Sequence, residues 1–428
     1  MTNNHTATQV QEKLDNNGTN SRVNKKSPSK RGVGLVLDKL QKIAQGISTK
    51  KGVRECSKFA TGRSVKMRVD NKSGNVRFNG LNRCLNSTSC PRCSHILGTA
   101  RAKGIDSVAV PVIEGGGAGV MVTLTIPHHH KDKFIDLRRV LNKCWDALMR
   151  QKFGRMCGTF NRDGRPLWVK SFDYTWGRNG DHLHFHCMIL FDDGLSDDDF
   201  NFLENILTES WLKLVKKNFR RDASPEALKF ERAYDVEGIS KYNDKISSVA
   251  FEIASRGTTK QSKNGSMNVW ELLWLCKHEP DDAKRKSYKR KFRQYEKDTH
   301  KLRTISYSKA FKERLDETKL STEEIIEKQN ETSSEVLAIR NDLWALINQR
   351  DDRINLLELF NSYFTGNEKL KPIVEEVMQV CNRYGEDSNN YNDEQMSKDW
   401  GSVSWKITLW MAQRRRRERT LSSRSSFV

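Results

Sequence analysis

Three histidines at alternate positions, His182, His184 and His186, stand in the run from Asp181 to Leu190. In a strand, alternate side chains share a face. The three imidazoles therefore point one way, and Leu183, Phe185 and Cys187 the other. Neutral imidazoles on one face suit a divalent ion such as Mn²⁺ or Mg²⁺ that keeps open positions for a phosphate. A carboxylate or water must supply the remaining coordination, and Asp173, on the preceding strand-like run, is a candidate. Three of the ten histidines within five positions, opposite a clean apolar face, argue against a merely polar sheet surface.

Downstream, Tyr242 and Lys245 are three apart and share a face if their segment is helical. A phenol with a pKa of about 10 is a poor nucleophile until cations stabilise its phenolate. Lys245 one turn away and the adjacent Lys241 supply such charge. A tyrosine on a helix is far more often a packing residue, so this pattern takes its weight from the histidine strand upstream.

The third cluster is sulfur. Cys90 and Cys93 form a C-x₂-C pair, with Cys84 and Cys56 before it. Four thiolates satisfy tetrahedral Zn²⁺, and His95 is an alternative to one of them. Arg, Ser and Asn surround these cysteines and argue against an ordinary core. Cys144, Cys157, Cys187, Cys276 and Cys381 read instead as core or incidental thiols. His128, His129 and His130 follow Pro127 where a loop is expected, and consecutive loop residues rarely converge on one ion. They read as phosphate or solvent contacts.

The elements that must carry these residues are legible in part. Val120 to Ile126 reads as a strand after a three-glycine loop. Phe134, Leu137, Leu141, Cys144, Trp145 and Leu148 mark one face of a helix. Leu167 to Tyr174 and His182 to Phe191 read as strands joined by the turn Gly177-Arg178-Asn179-Gly180, a strong hairpin signal. A helix begins at Ser196 with Asp197 to Asp199 and ends at Lys216-Lys217, charges that suit its dipole. Leu228 to Tyr234 follows as a strand and Ile239 to Ala254 as a helix. This order predicts an α+β fold, a central antiparallel sheet with packed helices. A short helix over Leu35 to Ile47 precedes it, and a helical C-terminal part, with Ser321 and Glu324 as a capping box, follows.

The 428 residues are enough for two or three domains. With 75 Lys and Arg against 54 Asp and Glu, the net charge of +21 favours a polyanionic partner, nucleic acid first. No run approaches the roughly 20 apolar residues of a membrane span, and Met1 to Asn17 lacks the apolar stretch of a signal peptide. The expectation is a cytoplasmic protein with reduced cysteines and no membrane partner. Lys25 to Arg31 is a basic stretch of the disordered N-terminus, and the basic segments Lys284 to Arg293 and Arg414 to Arg419 read as phosphate contacts or as solvated faces. Trp270 and Trp274 read as helix packing.

Together these segments resemble the HUH endonucleases, and more closely the rolling-circle replication initiators of Gram-positive plasmids, the Rep class 1 family. The matching pieces are Thr123 to His128, Asn179 to His186 and Lys241 to Lys245, with looser matches at Glu271 to Leu273 and Ile305 to Ser308. The resemblance implies His184 and His186 as paired metal ligands with His182 a possible third. It implies Tyr242 as nucleophile, Lys245 as its cationic neighbour, and zinc at Cys56, Cys84, Cys90 and Cys93. The implied reaction is a metal-dependent nick in one DNA strand that leaves a 5′-phosphotyrosine link and a free 3′-OH, religated at termination. In single-tyrosine relatives a Glu about one turn earlier activates water. Here Glu237 lies five residues ahead, with Glu252 and Tyr234 as alternatives. Relatives also carry Trp where this chain has Asp181. Implied partners are single- and double-stranded origin DNA, with host helicase and polymerase. The resulting division is a disordered basic N-terminus (1–50), a zinc-binding segment (51–110), an HUH catalytic domain (111–312), a helical region (313–410) and a basic tail (411–428). Two rivals remain: a relaxase or transposase of the same chemistry, and a zinc-dependent nucleic-acid binding protein without catalysis.

Overall fold

Alternating apolar residues in the middle of the chain build one antiparallel sheet, and helices close over both of its faces. A computed structural model of the chain describes residues 33–71, 74–234, 266–316, 332–385 and 392–424. The N-terminal elements are helices α1 (Val33–Ile47) and α2 (Lys51–Glu55), strands β1 (Ser64–Asp70) and β2 (Val76–Asn79), and helix α3 (Pro91–Glu114). Then come β3 (Ala118–Thr125), α4 (Phe134–Arg150), α5 (Lys152–Thr159), β4 (Leu167–Gly177), β5 (Gly180–Phe191), α6 (Asp197–Phe219) and β6 (Leu228–Tyr234). After them lie β7 (Met267–Asn268), α7 (Val269–His278), α8 (Asp282–Asp298), β8 (Ile305–Tyr307) and α9 (Lys309–Asp316). The last part holds β9 (Ser333–Arg340) and helices α10 (Asn341–Gln349), α11 (Arg353–Phe364), α12 (Lys371–Arg383) and α13 (Asp393–Arg424).

The larger sheet runs β6-β3-β5-β4-β7, with β8 also paired to β4. Its register is fixed at the β4–β5 hairpin. Gly177 pairs with Gly180, and counting outward sets Thr175 against His182, Asp173 against His184 and Ser171 against His186. Arg178 and Asn179 make the turn, and Gly180 takes φ of 90°. A side chain there would meet the Cα of His130 at 2.8 Å and the carbonyl oxygen of His129 at 3.2 Å. Glycine is thus required twice at this position, for its dihedral and for the approach of the 128–130 loop.

One face of the sheet carries Val122, Leu124, Phe172, Leu183, Phe185, Cys187 and Ile189 into a core shared with α4, α6 and α7. Ser196 caps α6 by accepting from the Asp199 amide. Asn268 and Glu271 form a capping box at the start of α7. The other face is covered only over part of its length. There Met121, Val169, Met188 and Leu190 pack under α3 and α9. A bidentate ion pair, Arg314 to Asp192 at 2.6 Å, ties α9 to the end of β5. The histidines stand on this same face beyond the covering helices.

A second core joins residues far apart in the chain. β9 pairs antiparallel with β1, Val65 against Ile339, in the sheet β2-β1-β9, and α10 to α13 pack on it. One strand therefore interrupts the C-terminal helices. Among the described residues, no helix is long and apolar enough to cross a membrane.

Candidate metal centre and active site

His184 and His186 project from β5 with Asp173 opposite on β4. The Nε2 atoms of the two histidines are 3.1 Å apart. Asp173 Oδ2 lies 3.2 Å from His184 Nε2 and 3.7 Å from His186 Nε2. One face of an octahedron or tetrahedron with bonds of about 2.1 Å has edges of about 3.0 or about 3.4 Å, so this spacing fits two imidazoles and a carboxylate around one cation. The three side chains are only 12–16% exposed. Burial opposes charge on Asp173, yet its hydrogen bonds to His184 and then His186 hold the carboxyl well below its ordinary range. Thr123 Oγ1, from β3, sits 3.2 Å from His186 Nδ1. A proton held there leaves the Nε2 lone pair free for an ion, the usual role of a partner behind a ligating histidine. The Nδ1 of His184 is buried without a hydrogen-bond partner among the described residues.

His182 is not in the convergent group of Asp173, His184 and His186. Its ring stacks on His128 at 4.7 Å with 20° between planes, and lies 5.1 Å from the His184 ring. Burial, then the neighbouring His184 and His128, push its pKa down to about 4, so it is neutral near pH 7. The 128–130 loop thus adds a fourth imidazole to the row, while His129 and His130 stay exposed. Lys229, exposed on β6, pairs across the sheet with Thr123 and stands on the histidine face.

Asp181 points to the opposite face. It is buried, accepts from Tyr174 Oη at 2.9 Å and forms an ion pair with Lys291 of α8. It therefore locks the hairpin to α8 and stays clear of the metal group. Two of the basic residues of α8 are engaged within the fold: part-buried Lys291 serves Asp181, and exposed Arg293 donates from Nε to the Ile47 carbonyl at 3.0 Å. Asp181→Leu should cost about 3–5 kcal/mol in urea unfolding, because Lys291 would be left charged and unpaired. Adding Lys291→Met should recover most of that loss. Equal stabilities for the single and double variants would refute the pairing.

The four cysteines of the N-terminal part converge. Cys56 Sγ lies 3.6 Å from both Cys90 and Cys93, and Cys84 lies 3.7 Å from Cys93. A tetrahedron with metal–sulfur bonds of about 2.3 Å has edges of about 3.8 Å, so the spacing fits a tetrathiolate ion. His95 is not in this group; burial and Arg92 push its pKa down to about 4. Hydrogen bonds from Cys84, Cys90 and Cys93 draw Cys56 far below the thiol range. The charges around the cluster carry the same argument. Arg92 pairs with buried Asp38 at 3.1 Å. Arg353, from α11, donates to the Ser57 carbonyl at 2.7 Å, and its Nη2 has no hydrogen-bond partner among the described residues. Arg83 donates to Ser57 Oγ at 2.5 Å. Among the described residues these three guanidiniums gather around the single carboxylate of Asp38, and burial pushes Arg83 and Arg353 down. Four thiolates around a dication carry two negative charges, which together with Asp38 balance the three arginines.

None of these arginines was singled out from the sequence, and for Arg353 no local signal exists. Tyr242, Lys245 and Glu237, with Lys241, Glu252 and the expected helix from Ile239 to Ala254, lie outside the described residues, as does the Ser321–Glu324 capping box. Cys144, Cys157, Cys187, Cys276 and Cys381 are all buried. Burial pushes their thiols up, that of Cys144 to about 11. Trp270 is buried in α7, and Trp274 stacks on His278.

A family model described as replication protein (Rep_1) matches residues 82–353, well over half of the 428. The span holds three of the four clustered cysteines, the whole histidine face and Arg353. No curated protein and no solved structure matches the chain.

Proposed function

The chain belongs to the Rep_1 family of replication proteins, and from this premise we propose that it initiates rolling-circle replication of a bacterial plasmid by nicking one DNA strand at the origin. The observation that carries the reading is the convergence of Asp173, His184 and His186 on one partly open face of the sheet. Two imidazoles and a carboxylate would hold a divalent ion, Mn²⁺ or Mg²⁺, which when bound supplies polarisation of the scissile phosphate. Thr123 orients His186, and His182 with His128 walls the face as neutral rings. Lys229, exposed on that face, offers a cation to a flanking phosphate.

In this reading Tyr242 attacks phosphorus. Its oxygen forms the new bond, the bond to the 3′ oxygen breaks, and a 5′-phosphotyrosine remains with a free 3′-OH. Lys245 steadies the phenolate, and Glu237 activates water at termination. The clustered cysteines would hold a structural Zn²⁺. The partners are single- and double-stranded origin DNA in the cytoplasm, followed by host helicase and polymerase.

The test is incubation of the full chain with labelled single-stranded origin DNA and Mn²⁺, followed by denaturing electrophoresis. The expected result is a metal-dependent protein–DNA adduct that is lost in Tyr242→Phe. An adduct that persists in the variant would transfer the role to another tyrosine. DNA binding without any adduct would overturn the catalytic reading in favour of a binding-only protein.

A further inference from the structure

On the face of β4 turned away from the histidines, Lys170 is buried, only 7% exposed. It pairs across the sheet with Cys187 and Ser306, whereas Asp173, three residues on, belongs to the other face. Among the described residues its ammonium forms no ion pair. It lies 4.0 Å from the centre of the Phe185 ring and 5.1 Å from that of Trp145. Burial pushes its pKa down to about 8; the cross-strand Cys187 thiol and Asp146, exposed on α4, offset this only in part. A lysine held this way is costly unless an anion meets it.

Lys170 lines a cavity of about 250 Å³ beneath α4 and the loop between α8 and β8. Among the described residues no carboxylate lines it. Arg138, Lys301 and Arg303 add three further cations, and Asn142 and Ser306 add polar side chains. At about 30 Å³ per water, the space exceeds what one or two solvent molecules fill. The cations continue outward along α4 through Arg139 (paired with Asp136), Lys143 and Arg150, with the carboxylate of Asp146 among them, so the cavity is the inner end of a groove whose lining is net basic. An enclosed cation behind a rim of guanidinium, ammonium and polar groups is the arrangement that grips phosphate oxygens.

We propose that this cavity binds a backbone phosphate of DNA, as an anchoring site separate from the histidine centre. The groove along α4 favours a polymer over a free ion, because its cations extend beyond what a single phosphate reaches. The site holds the nucleic acid and takes no part in bond breaking.

Fluorescence anisotropy of the full chain with a labelled oligonucleotide, in buffer without added divalent ion, tests the proposal independently of any nicking. Lys170→Met should remain folded, with a melting temperature equal to or above that of the parent. It should bind the oligonucleotide several-fold more weakly, and its log-affinity should fall with log salt by a slope reduced by about one. Lys301→Ala with Arg303→Ala, both exposed, should give the same loss without touching the interior. Unchanged affinity and salt slope in both variants would overturn the proposal and leave Lys170 a packing residue. Inorganic phosphate that raises the parent's melting temperature, but not that of Lys170→Met, with oligonucleotide binding unaffected, would replace DNA by a free phosphate compound.

Discussion

Asp173→Asn should abolish productive metal binding at the histidine face while leaving the fold intact. The asparagine keeps the shape and one oxygen but loses the charge that two imidazoles share at 3.2 and 3.7 Å. Changing a group that merely supports a ligand typically costs 10–100-fold in metal affinity. Losing the charged ligand itself should exceed about 100-fold, read by calorimetric titration with Mn²⁺. A metal supplies several kcal/mol of transition-state stabilisation, so nicking should fall by about a thousandfold or more. The contrast is His182→Ala, which removes a ring stacked on His128 and should keep Mn²⁺ affinity within a few-fold. Wild-type Mn²⁺ binding in Asp173→Asn would remove this carboxylate from the site. A loss in His182→Ala as severe as in Asp173→Asn would make His182 a full ligand.

Cys93→Ser should have the largest effect on stability. The purified parent should hold one zinc per chain by elemental analysis, and the variant none. Structural zinc contributes about 10–16 kcal/mol in small peptides, and its loss here would also leave Arg83, Arg92 and Arg353 facing Asp38 alone. Uncompensated buried charge costs about 3–5 kcal/mol, so a loss of at least about 5 kcal/mol is expected. At about 2–4 °C per kcal/mol for a domain of moderate size, the melting temperature should drop by about 10 °C or more. The loss should reach the C-terminal helices too, because Arg353 begins α11 and α11 packs in the core that β1 and β9 share. A parent free of zinc, with a variant of equal melting temperature, would show that the four thiols are only packed together.

Much of the histidine site was written in local sequence. Alternation alone puts His184 and His186 on one face, because a strand repeats every two residues. The Asn-Gly turn then fixes the register, and Asp173 falls opposite His184 by counting outward from the Gly177–Gly180 pair. Local signals of the same kind gave the helix at Phe134–Arg150, the capped helix from Ser196 and the strand Leu228–Tyr234. The C-x₂-C pair announced a sulfur site by spacing alone.

What the sequence could not decide is where segments distant along the chain meet. The helix Pro91–Glu114 carries Gly98, Gly104 and Pro111, which blur its apolar period, yet it covers one end of the histidine face. The pairing of Ser64–Asp70 with Ser333–Arg340 leaves no trace in either strand, since any amphipathic strand matches another. Likewise the stacking of His128 on His182 depends on a loop from another part of the chain that Gly180 of the β4–β5 hairpin admits. The arginines around the cysteines and the buried Lys170 arise in the same way. Periodicity and turn chemistry are local and can be read from neighbours, whereas the burial of a charge is set by whichever distant surfaces close over it. The sequence by itself determined which residues share a strand face, and only the tertiary structure decided which charges are shut in together and therefore what each must bind.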